Sequence, residues 1–361
     1  MNPVINQDKH AKKLIELMIL ASQQGASDLH LGVGKKPILR LDGKLIAINK
    51  EEIITPEVIA GFVEMLLNEQ QQQYLMDHKE IDFAFSLEDK VRFRINIFFQ
   101  KGYLSIALRL IPTVIRTVEE LHLPPILHSL ATYNQGFFLV VGPAGQGKTT
   151  TLAAIVDEIN HSRMDHIITI EDPIEYVYVP DRSLISQREV GEDTLSFNNA
   201  LKSSLRQDPD VIMIGEMRDP ESMAIALTAA ETGHLVFSTL HTNSASQTID
   251  RIIDSFNAGS QSQIRSQLAT LLIGIVSQRL VPKIDGGRVP VCEILMVNTA
   301  ARNLIRENKI YQIDLVIETG LKDGMISLNR SLVDLVRKRA ISMETAELYS
   351  NNPSELRNLL G

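Results

Sequence analysis

The sequence predicts a mixed α/β protein with two domains, an α+β domain over residues 1–112 and a doubly wound domain with a helical C-terminal region over residues 113–361. Length is the first observation, since a typical domain holds about 150 residues and the chain holds 361. The second is that short strands dominate the first part, whereas strand-like and helical runs alternate after Phe137. Such alternation is typical of a mostly parallel sheet flanked by helices.

The first domain begins with a helix and contains a small sheet. Residues 11–24 carry apolar side chains at helical spacing, and residues 56–76 predict a second helix. Between them "SDLHLGV", "KPILRLDG" and "KLIAIN" alternate like short strands and break at glycines. Strands are predicted again over residues 82–111.

The second domain begins at a strand. The runs "FFLVV", "HIITI", "VIMIG" and "HLVFSTL" predict the strands of the parallel sheet. Residues 247–361 are predicted to be mainly helical, with one hairpin around "DGGRVPVCEILMV".

Composition excludes several classes of protein. The net charge of −8 and the pI near 5.7 argue against a protein that grips a nucleic-acid backbone, so no nucleic-acid partner is expected. Cys292 is the only cysteine, which leaves no disulfide and no cysteine cluster for zinc. The start "MNPVINQDKHAKKL" lacks a signal-peptide core, and no run reaches the ~20 apolar residues of a membrane span. A cytoplasmic protein is expected.

The stretch "GPAGQGKTT" fills the pattern G-x-x-x-x-G-K-[ST] between a predicted strand and a predicted helix. Glycines let backbone N–H groups turn toward phosphates, and the helix N-terminus adds partial positive charge. Lys148 is expected to reach the terminal phosphates and Thr149 to ligate magnesium. The predicted phosphate-binding residues are Gly142, Pro143, Ala144, Gly145, Gln146, Gly147, Lys148, Thr149 and Thr150.

Hydrolysis also needs acidic residues for magnesium and for the attacking water. "HIITIEDPIEY" places Glu171, Asp172 and Glu175 after one strand, and "DVIMIGEMRD" places Glu216 after another. Ligands of doubly wound sheets collect at the carboxyl ends of strands, so these acids and the P-loop point to one crevice. Solvated acids in surface turns are the alternative for Glu175 and Glu216.

Two histidines flank one apolar strand in "ETGHLVFSTLHT". His234 precedes the strand and His241 follows it. A neutral imidazole there could sense a γ-phosphate or relay between sites, and it could equally be a local hydrogen-bonding group.

The stretch "VRFRINIFFQKGYLSIALRLIP" predicts a hairpin with one apolar and one polar face. A symmetric turn at Lys101 and Gly102 pairs Gln100 with Tyr103 and places Arg94 opposite Arg109. Like charges directly opposed on a sheet are destabilising, so a bound anion is one compensation. Two solvated arginines that splay apart are the other interpretation.

Four boxes in order, "GPAGQGKTT", "ITIEDPIEY", "IGEMRDPES" and "TAAETGHLVFSTLHT", resemble the Walker A, Asp, Walker B and His boxes of the secretion ATPases that power type II secretion and type IV pili. "GASDLHL" and "RFRIN" also resemble the N-terminal domain of that family, so the resemblance covers nearly the whole chain. "AARNLIRENK" is similar to the AIRNLIRE signature of the pilus retraction motors, with Ala301 where isoleucine is expected.

The resemblance implies a homo-hexameric ATPase ring of subunits with a PAS-like N-terminal domain and a RecA-like C-terminal domain. It implies ATP and Mg²⁺ as cofactors, with ATP at the seam between neighbours. By motif, Lys148 and Thr149 bind phosphate and magnesium, Glu216 is the Walker B glutamate that can also ligate magnesium, and Glu175 is its acidic partner. His234 and His241 form the His box, and Arg94 and Arg109 match arginines that reach a nucleotide across a domain interface.

The implied work is pilus retraction in twitching motility, at the inner face of the inner membrane. The expected partners are an inner-membrane pilus platform protein and a second retraction ATPase. The single cysteine excludes the paired CxxC zinc module that assembly and secretion members usually carry. A retraction-type paralogue, an assembly or type II secretion ATPase, a RecA-like nucleic-acid motor and a nucleotide-gated regulatory subunit that hydrolyses little remain as alternatives.

Overall fold

A computed structural model describes residues 9–41, 43–87, 91–111 and 114–360 of the chain. It divides into two compact units, Met1–Val114 with Glu175–Val177, and Ile115–Ile174 with Tyr178–Gly361. The predicted domain boundary at residues 112–113 and the start "MNPVINQD" lie outside the described residues.

The first unit is an antiparallel sheet that packs one face against helices. Its sheet has six strands in the order β3-β2-β1-β6-β5-β4, and every pair is antiparallel. The helices are α1 (Lys9–Gln23), α2 (Pro56–Leu66) and α3 (Glu69–His78). The strands are β1 (Asp28–Gly32), β2 (Ile38–Leu41), β3 (Lys44–Ala47), β4 (Glu80–Leu87), β5 (Val91–Gln100) and β6 (Tyr103–Ile111).

The second predicted helix is in fact two helices, so the single helix over residues 56–76 is wrong. Residue Leu67 is extended and ends α2. Asn68 then caps α3 in a capping box with Gln71, whose side chain accepts a hydrogen bond from the Asn68 N–H. A strong N-cap inside an apolar helical pattern restarts the helix, because the cap residue itself needs a non-helical backbone.

The predicted hairpin register of β5 and β6 is confirmed. Gln100 pairs with Tyr103, and Arg94 lies directly opposite Arg109. The alternate positions of β5 point inward, where Phe93 and its neighbours Ile95 and Ile97 are fully buried in the core. The arginines consequently lie on the face of the sheet that is turned away from the core.

The second unit is a seven-stranded sheet with helices around it. The strands are β7 (Gly136–Val141), β8 (His166–Glu171), β9 (Leu184–Glu189), β10 (Val211–Ile214), β11 (Leu235–Leu240), β12 (Leu272–Pro282) and β13 (Arg288–Met296). The helices are α4 (Lys148–Ser162), α5 (Phe197–Ser204), α6 (Pro220–Glu231), α7 (Ala245–Asp254), α8 (Ala258–Leu271), α9 (Thr299–Arg306), α10 (Ile313–Thr319), α11 (Leu328–Arg337), α12 (Met343–Tyr349) and α13 (Pro353–Leu360), with short 3-10 helices at Pro125–Thr132, Ile310–Gln312 and Leu321–Asp323.

The strand order β13-β12-β7-β11-β10-β8-β9 places the site. All neighbours are parallel except β12 and β13, which form the predicted antiparallel hairpin. Strands β7, β11 and β10 are adjacent, and every residue of each is buried. The residues that follow these three strands are therefore brought to one edge of the sheet.

Strand β9 is an element that the sequence pattern missed. Its residues "LISQRE" contain only two apolar side chains, and its burial pattern is mostly intermediate. It is the edge strand of the sheet, where a half-covered strand needs no continuous apolar run. Within the described part of the chain, no helix combines the length and the apolar character that crossing a bilayer requires.

Candidate active site

The glycine-rich turn follows the buried strand β7 and leads into α4. Gly142, Gly145 and Gly147 all have positive φ, at 147°, 73° and 80°. Gly147 is the N-cap residue of α4, so Lys148 is the first residue of the helix. A turn of this kind exposes successive backbone N–H groups at a helix N-terminus, which is a site for anions.

Gly142 is fixed by a close approach of another strand. A Cβ placed on Gly142 would lie 2.3 Å from the backbone oxygen of Gln278 in β12, whereas a Cβ on Gly145 would meet nothing within 4 Å. Glycine is therefore required at position 142 for a steric reason as well as a conformational one, whereas at position 145 it is favoured only by the positive φ.

We expect Gly142→Ala to lower the free energy of unfolding by about 2–4 kcal/mol, because a backbone atom must move to admit the methyl group. Gly145→Ala is the matched control, since its positive φ alone costs about 1–2 kcal/mol. Calorimetric melting of both variants measures the difference. Equal melting temperatures for the two variants would contradict the close packing of the P-loop on β12.

Gln146 is held by two hydrogen bonds to β12. Its side-chain oxygen accepts a hydrogen bond of 2.6 Å from the Leu280 N–H, and its backbone oxygen accepts one of 2.7 Å from Gln278 Nε2. Gln278 Oε1 in turn accepts a bond of 2.8 Å from the Thr151 hydroxyl. The glutamine therefore anchors the turn to the sheet.

Lys148 is a buried cation at the centre of this site. Its side chain is 8% exposed, and Nζ donates to the backbone oxygens of Gly142 and Pro143 at 2.9 and 3.0 Å. Burial lowers the pKa of Lys148, and the charge of Glu216 opposes that shift. Among the described residues, no carboxylate oxygen lies within ion-pair distance, 4.0 Å, of Nζ. A buried charge without a counter-ion is costly, so the site favours an anion.

Three side chains from the three adjacent strand ends are in contact. His241, after β11, has Nδ1 3.5 Å from Lys148 Nζ and Nε2 3.2 Å from Glu216 Oε2. Glu216 follows β10 and is mostly buried, and its other oxygen pairs with Arg218. The sequence-predicted Lys148, His241 and Glu216 thus form one continuous set of polar contacts.

Arg218 is a residue of this set that the sequence reasoning missed. Its hydrogen bond and ion pair with Glu216 raise the pKa of the Arg218 guanidinium. The signal was present in "GEMRDP", where a basic residue stands two positions after the strand-end acid.

The second histidine lies at the other end of β11. His234 precedes the strand, and its Nδ1 lies 2.8 Å from the Ala229 backbone oxygen and 3.2 Å from the Thr232 hydroxyl. Seven residue steps along the strand place it ~23 Å from His241. In the structure His234 is a local hydrogen-bonding residue just after α6, and its catalytic role stays a prediction.

The acids of the Asp box have different surroundings. Glu171 ends β8 and is buried, where Oε1 accepts a bond of 2.7 Å from Thr169. Glu175 is exposed and belongs to the segment Glu175–Val177, which groups with the first unit. The contacts that join Lys148, His241 and Glu216 include neither acid, so the catalytic role of Glu175 stays a prediction.

The opposed arginines of the first unit have carboxylate neighbours within that unit. Arg109 Nε donates to Asp28 Oδ1 at 2.9 Å, and Arg94 Nε lies 3.8 Å from Asp82 Oδ1. Asp28 is buried, and its bonds from Ser27 and Arg109 keep its pKa low against the opposing effect of burial. Both arginines remain partly exposed, at 68% and 45%, and so keep donors free for a further anion.

A cavity of about 660 Å³ lies beside the P-loop. Pro143 and Gln146 of the turn line it together with Arg279 of β12 and Glu293 of β13. Burial raises the pKa of Glu293, whose Oε1 accepts a hydrogen bond from the Ala245 N–H. The volume of the cavity is within the ~300–1,000 Å³ that is typical of small-molecule sites. No sequence pattern indicated Arg279 or Glu293, since both belong to a hairpin of ordinary composition.

The chain is similar to proteins of one family. Residues 6–286 match the family described as "Type II/IV secretion system protein". The "Type IV pilus retractation ATPase PilT" of Pseudomonas aeruginosa is 45% identical over 340 residues, which cover 94% of this chain and 98% of that protein. The "Twitching motility protein" of Neisseria gonorrhoeae is 47% identical over 321 residues, which cover 89% of this chain and 86% of that protein.

The solved structures give the same result for the fold. The crystal structure of "the Pilus Retraction Motor PilT and Bound ADP" superposes with a TM-score of 0.88 at 44% identity, over 96% of this chain and 99% of that one. The predicted fold class, a PAS-like domain followed by a RecA-like P-loop domain with a helical C-terminal region, is confirmed by that likeness. The matched residues, the four boxes and the likeness of fold establish that the chain belongs to the type II/IV secretion system protein family.

Proposed function

We propose that the chain is a motor ATPase that couples ATP hydrolysis to the retraction of type IV pili. The observation that carries the proposal is Lys148, a buried cation at a helix N-terminus with neutral oxygens and an imidazole around it. A phosphate is the anion that such a turn accommodates best. The relatives named as retraction ATPase and twitching motility protein support the kind of work, and the relative with bound ADP supports the nucleotide.

When bound, ATP supplies the bond that is cleaved, and Mg²⁺ neutralises phosphate charge. The P-loop N–H groups and Lys148 hold the phosphates, and Thr149 and Glu216 hold the metal. Thr149 fits that role because its hydroxyl makes no hydrogen bond to any described residue. Glu216 fits it if it exchanges its contact with Arg218 or His241 for the metal or for the attacking water.

The chain's own residues then act on that water. Glu216 accepts a proton from it, since a strand-end carboxylate at the P-loop is placed to act as a general base. His241 contacts both Lys148 and Glu216 and therefore positions one relative to the other. Arg94 and Arg109, proposed to come from a neighbouring subunit, stabilise the negative charge that develops on the phosphates.

This arrangement requires a ring, and we propose a homo-hexamer of subunits with the domain boundary near residues 112–113. A platform protein at the inner face of the inner membrane is the proposed partner, with a second retraction ATPase as a further one. The proposed location is the cytoplasm at that membrane.

We expect the purified chain to have the mass of a hexamer in the presence of a non-hydrolysable ATP analogue, because a site completed by a neighbour cannot function in an isolated subunit. Light scattering with and without the analogue measures that mass. A monomer with full ATPase activity would refute the ring.

The function itself is tested in cells. Deletion of the gene should leave cells piliated but without twitching motility, and expression of the intact chain should restore movement. Expression of the Glu216→Gln chain should not. Cells that lose their pili on deletion would point to an assembly ATPase instead, and cells that still twitch would contradict retraction by this chain.

A further inference from the structure

The first unit carries a second cavity, on the face of its sheet that is turned away from the core. It has a volume of about 230 Å³ and lies over the ends of β1, β2, β5 and β6. Ser105 pairs with Gly32 on one side and with Phe98 on the other, and His30 pairs with Ala107 in the next row. The residues that matter for its chemistry are His30, Lys35, Lys36, Arg40, Phe98 and Ser105.

The charged groups that line this cavity are all basic. Lys35, Lys36 and Arg40 contribute three positive charges, and no aspartate or glutamate lines it. Among the described residues, three carboxylates lie on the same face outside the cavity: Asp28 is paired with Arg109 at 2.9 Å and with Arg40 at 3.6 Å, Asp82 lies 3.8 Å from Arg94, and Glu80 of β4 stands opposite Phe98. A concave surface lined by one sign of charge concentrates ions of the opposite sign.

The three cations differ in how far they are already engaged. Lys36 Nζ donates to the Asn49 backbone oxygen at 2.6 Å, and Arg40 donates to the Gly43 oxygen at 2.9 Å. Lys35, in the turn between β1 and β2, makes no side-chain hydrogen bond or ion pair to any described residue. Lys35 is therefore the cation with the most donor capacity for a ligand.

Two polar groups at the cavity have no partner within the described part of the chain. His30 Nε2 is buried without a hydrogen bond. Ser105 is 7% exposed, and its hydroxyl makes no side-chain hydrogen bond to a described residue. Buried polar groups are nearly always satisfied, so the unpaired His30 Nε2 beside three cations indicates a missing ligand, and the Ser105 hydroxyl is a further donor at the cavity.

We infer that this cavity binds a small oxyanion carried on an apolar group, of the class of an organic phosphomonoester. The cations, the Ser105 hydroxyl and the His30 ring supply donors for the oxyanion, and Phe98 supplies an aromatic surface for the apolar part. A volume below the ~300 Å³ of drug-sized sites selects a small ligand. Ser105 lies four residues along β6 from Arg109, or ~13 Å, so the cavity is separate from the opposed arginines.

The absence of tryptophan from the chain allows a local test. Phe98→Trp places the only indole of the protein at the cavity, and its emission is followed while phenyl phosphate or inorganic phosphate is added to the full chain. We expect a saturable change with both probes, and a lower half-saturation concentration for phenyl phosphate because its ring adds apolar contact.

Two further substitutions in the Phe98→Trp chain test the assigned donors. Lys35→Gln should raise the half-saturation concentration about 3- to 10-fold, and Ser105→Ala about 2- to 10-fold, as lost hydrogen bonds to an anion do. Lys44→Gln, which removes the same charge from a residue of β3 that does not line the cavity, is the matched control and should change it less than about twofold.

Calorimetry provides a second measurement that does not depend on the indole. Phenyl phosphate is titrated into the Lys148→Ala chain, in which the P-loop has lost its cation, and into the same chain with Lys35→Gln. We expect the Lys148→Ala chain to bind phenyl phosphate, and the chain that also carries Lys35→Gln to bind it more weakly. No saturable binding up to ~10 mM in either assay, or an equal effect of Lys35→Gln and Lys44→Gln, would overturn the inference. So would a change of oligomeric mass in Lys35→Gln with phosphate binding unchanged, since the face would then be a subunit contact.

Discussion

Lys148→Ala should abolish ATP turnover while the protein remains folded. The side chain is the buried cation of the site, and loss of a charge placed at developing phosphate charge costs about 3–4 kcal/mol, or about 10²- to 10³-fold in rate. The fold should survive, because the bonds from Nζ to the Gly142 and Pro143 oxygens are local to the turn.

Steady-state phosphate release measures the effect, with circular dichroism and the melting temperature as evidence of folding. Lys202→Ala is the matched control, since Lys202 is an exposed lysine of the same unit that pairs with Glu221. Phosphate release by Lys148→Ala near that of the control would remove the basis of the P-loop assignment.

Glu216→Gln should bind ATP and hardly hydrolyse it. An amide keeps the shape of the side chain and can still contact His241 and Arg218, but it is not a base and ligates magnesium poorly. General-base catalysis contributes about 10²- to 10⁴-fold, so turnover should fall at least about 100-fold.

Binding of a fluorescent ATP analogue and phosphate release are measured on the same preparation, with Glu221→Gln as the control for loss of a surface carboxylate. Normal turnover by Glu216→Gln would move the base to Glu175 or elsewhere. Glu175→Gln is expected to be impaired as well, and to a smaller extent.

Much of the fold follows from local patterns in the sequence. The apolar runs that became β7, β8, β10 and β11 are parallel strands that are buried throughout, apart from the first residue of β8. Strands that are covered on both faces carry such largely apolar runs. The hairpin register of β5 and β6 followed from alternation and a short turn alone. Edge strand β9 and the break before Asn68 were missed, because their signals are weak polar ones inside longer patterns.

The site was predicted less completely than the fold. The pattern G-x-x-x-x-G-K-[ST] identified Lys148, and strand-end positions identified His241 and Glu216, because parallel strands place their carboxyl ends together. The pairing of Arg109 with Asp28 joins residues 81 apart in sequence, and no local pattern indicates it. The contact between β12 and the P-loop holds Gln146 in place. It likewise depends on the order of strands in the sheet, which no local pattern indicates.

The claim that each ATP site is shared by two subunits is tested most directly by mixing two inactive chains. Arg94→Ala leaves the P-loop sound, and Arg94 is better suited than Arg109, whose removal would leave the buried Asp28 with weaker partners. Asp82→Asn, which removes the same ion pair and keeps Arg94, is the control and should stay active.

Differently tagged Arg94→Ala and Lys148→Ala subunits are mixed, and phosphate release is measured on rings that carry both tags. We predict activity above that of either parent, because some seams then combine an intact P-loop with an intact arginine. To determine how many sites a ring needs, wild-type subunits are titrated into Lys148→Ala rings. Activity that falls in proportion to the mutant fraction means that a ring does not need all of its sites. If activity falls in that way and the mixed rings are still no more active than their parents, the shared site is contradicted.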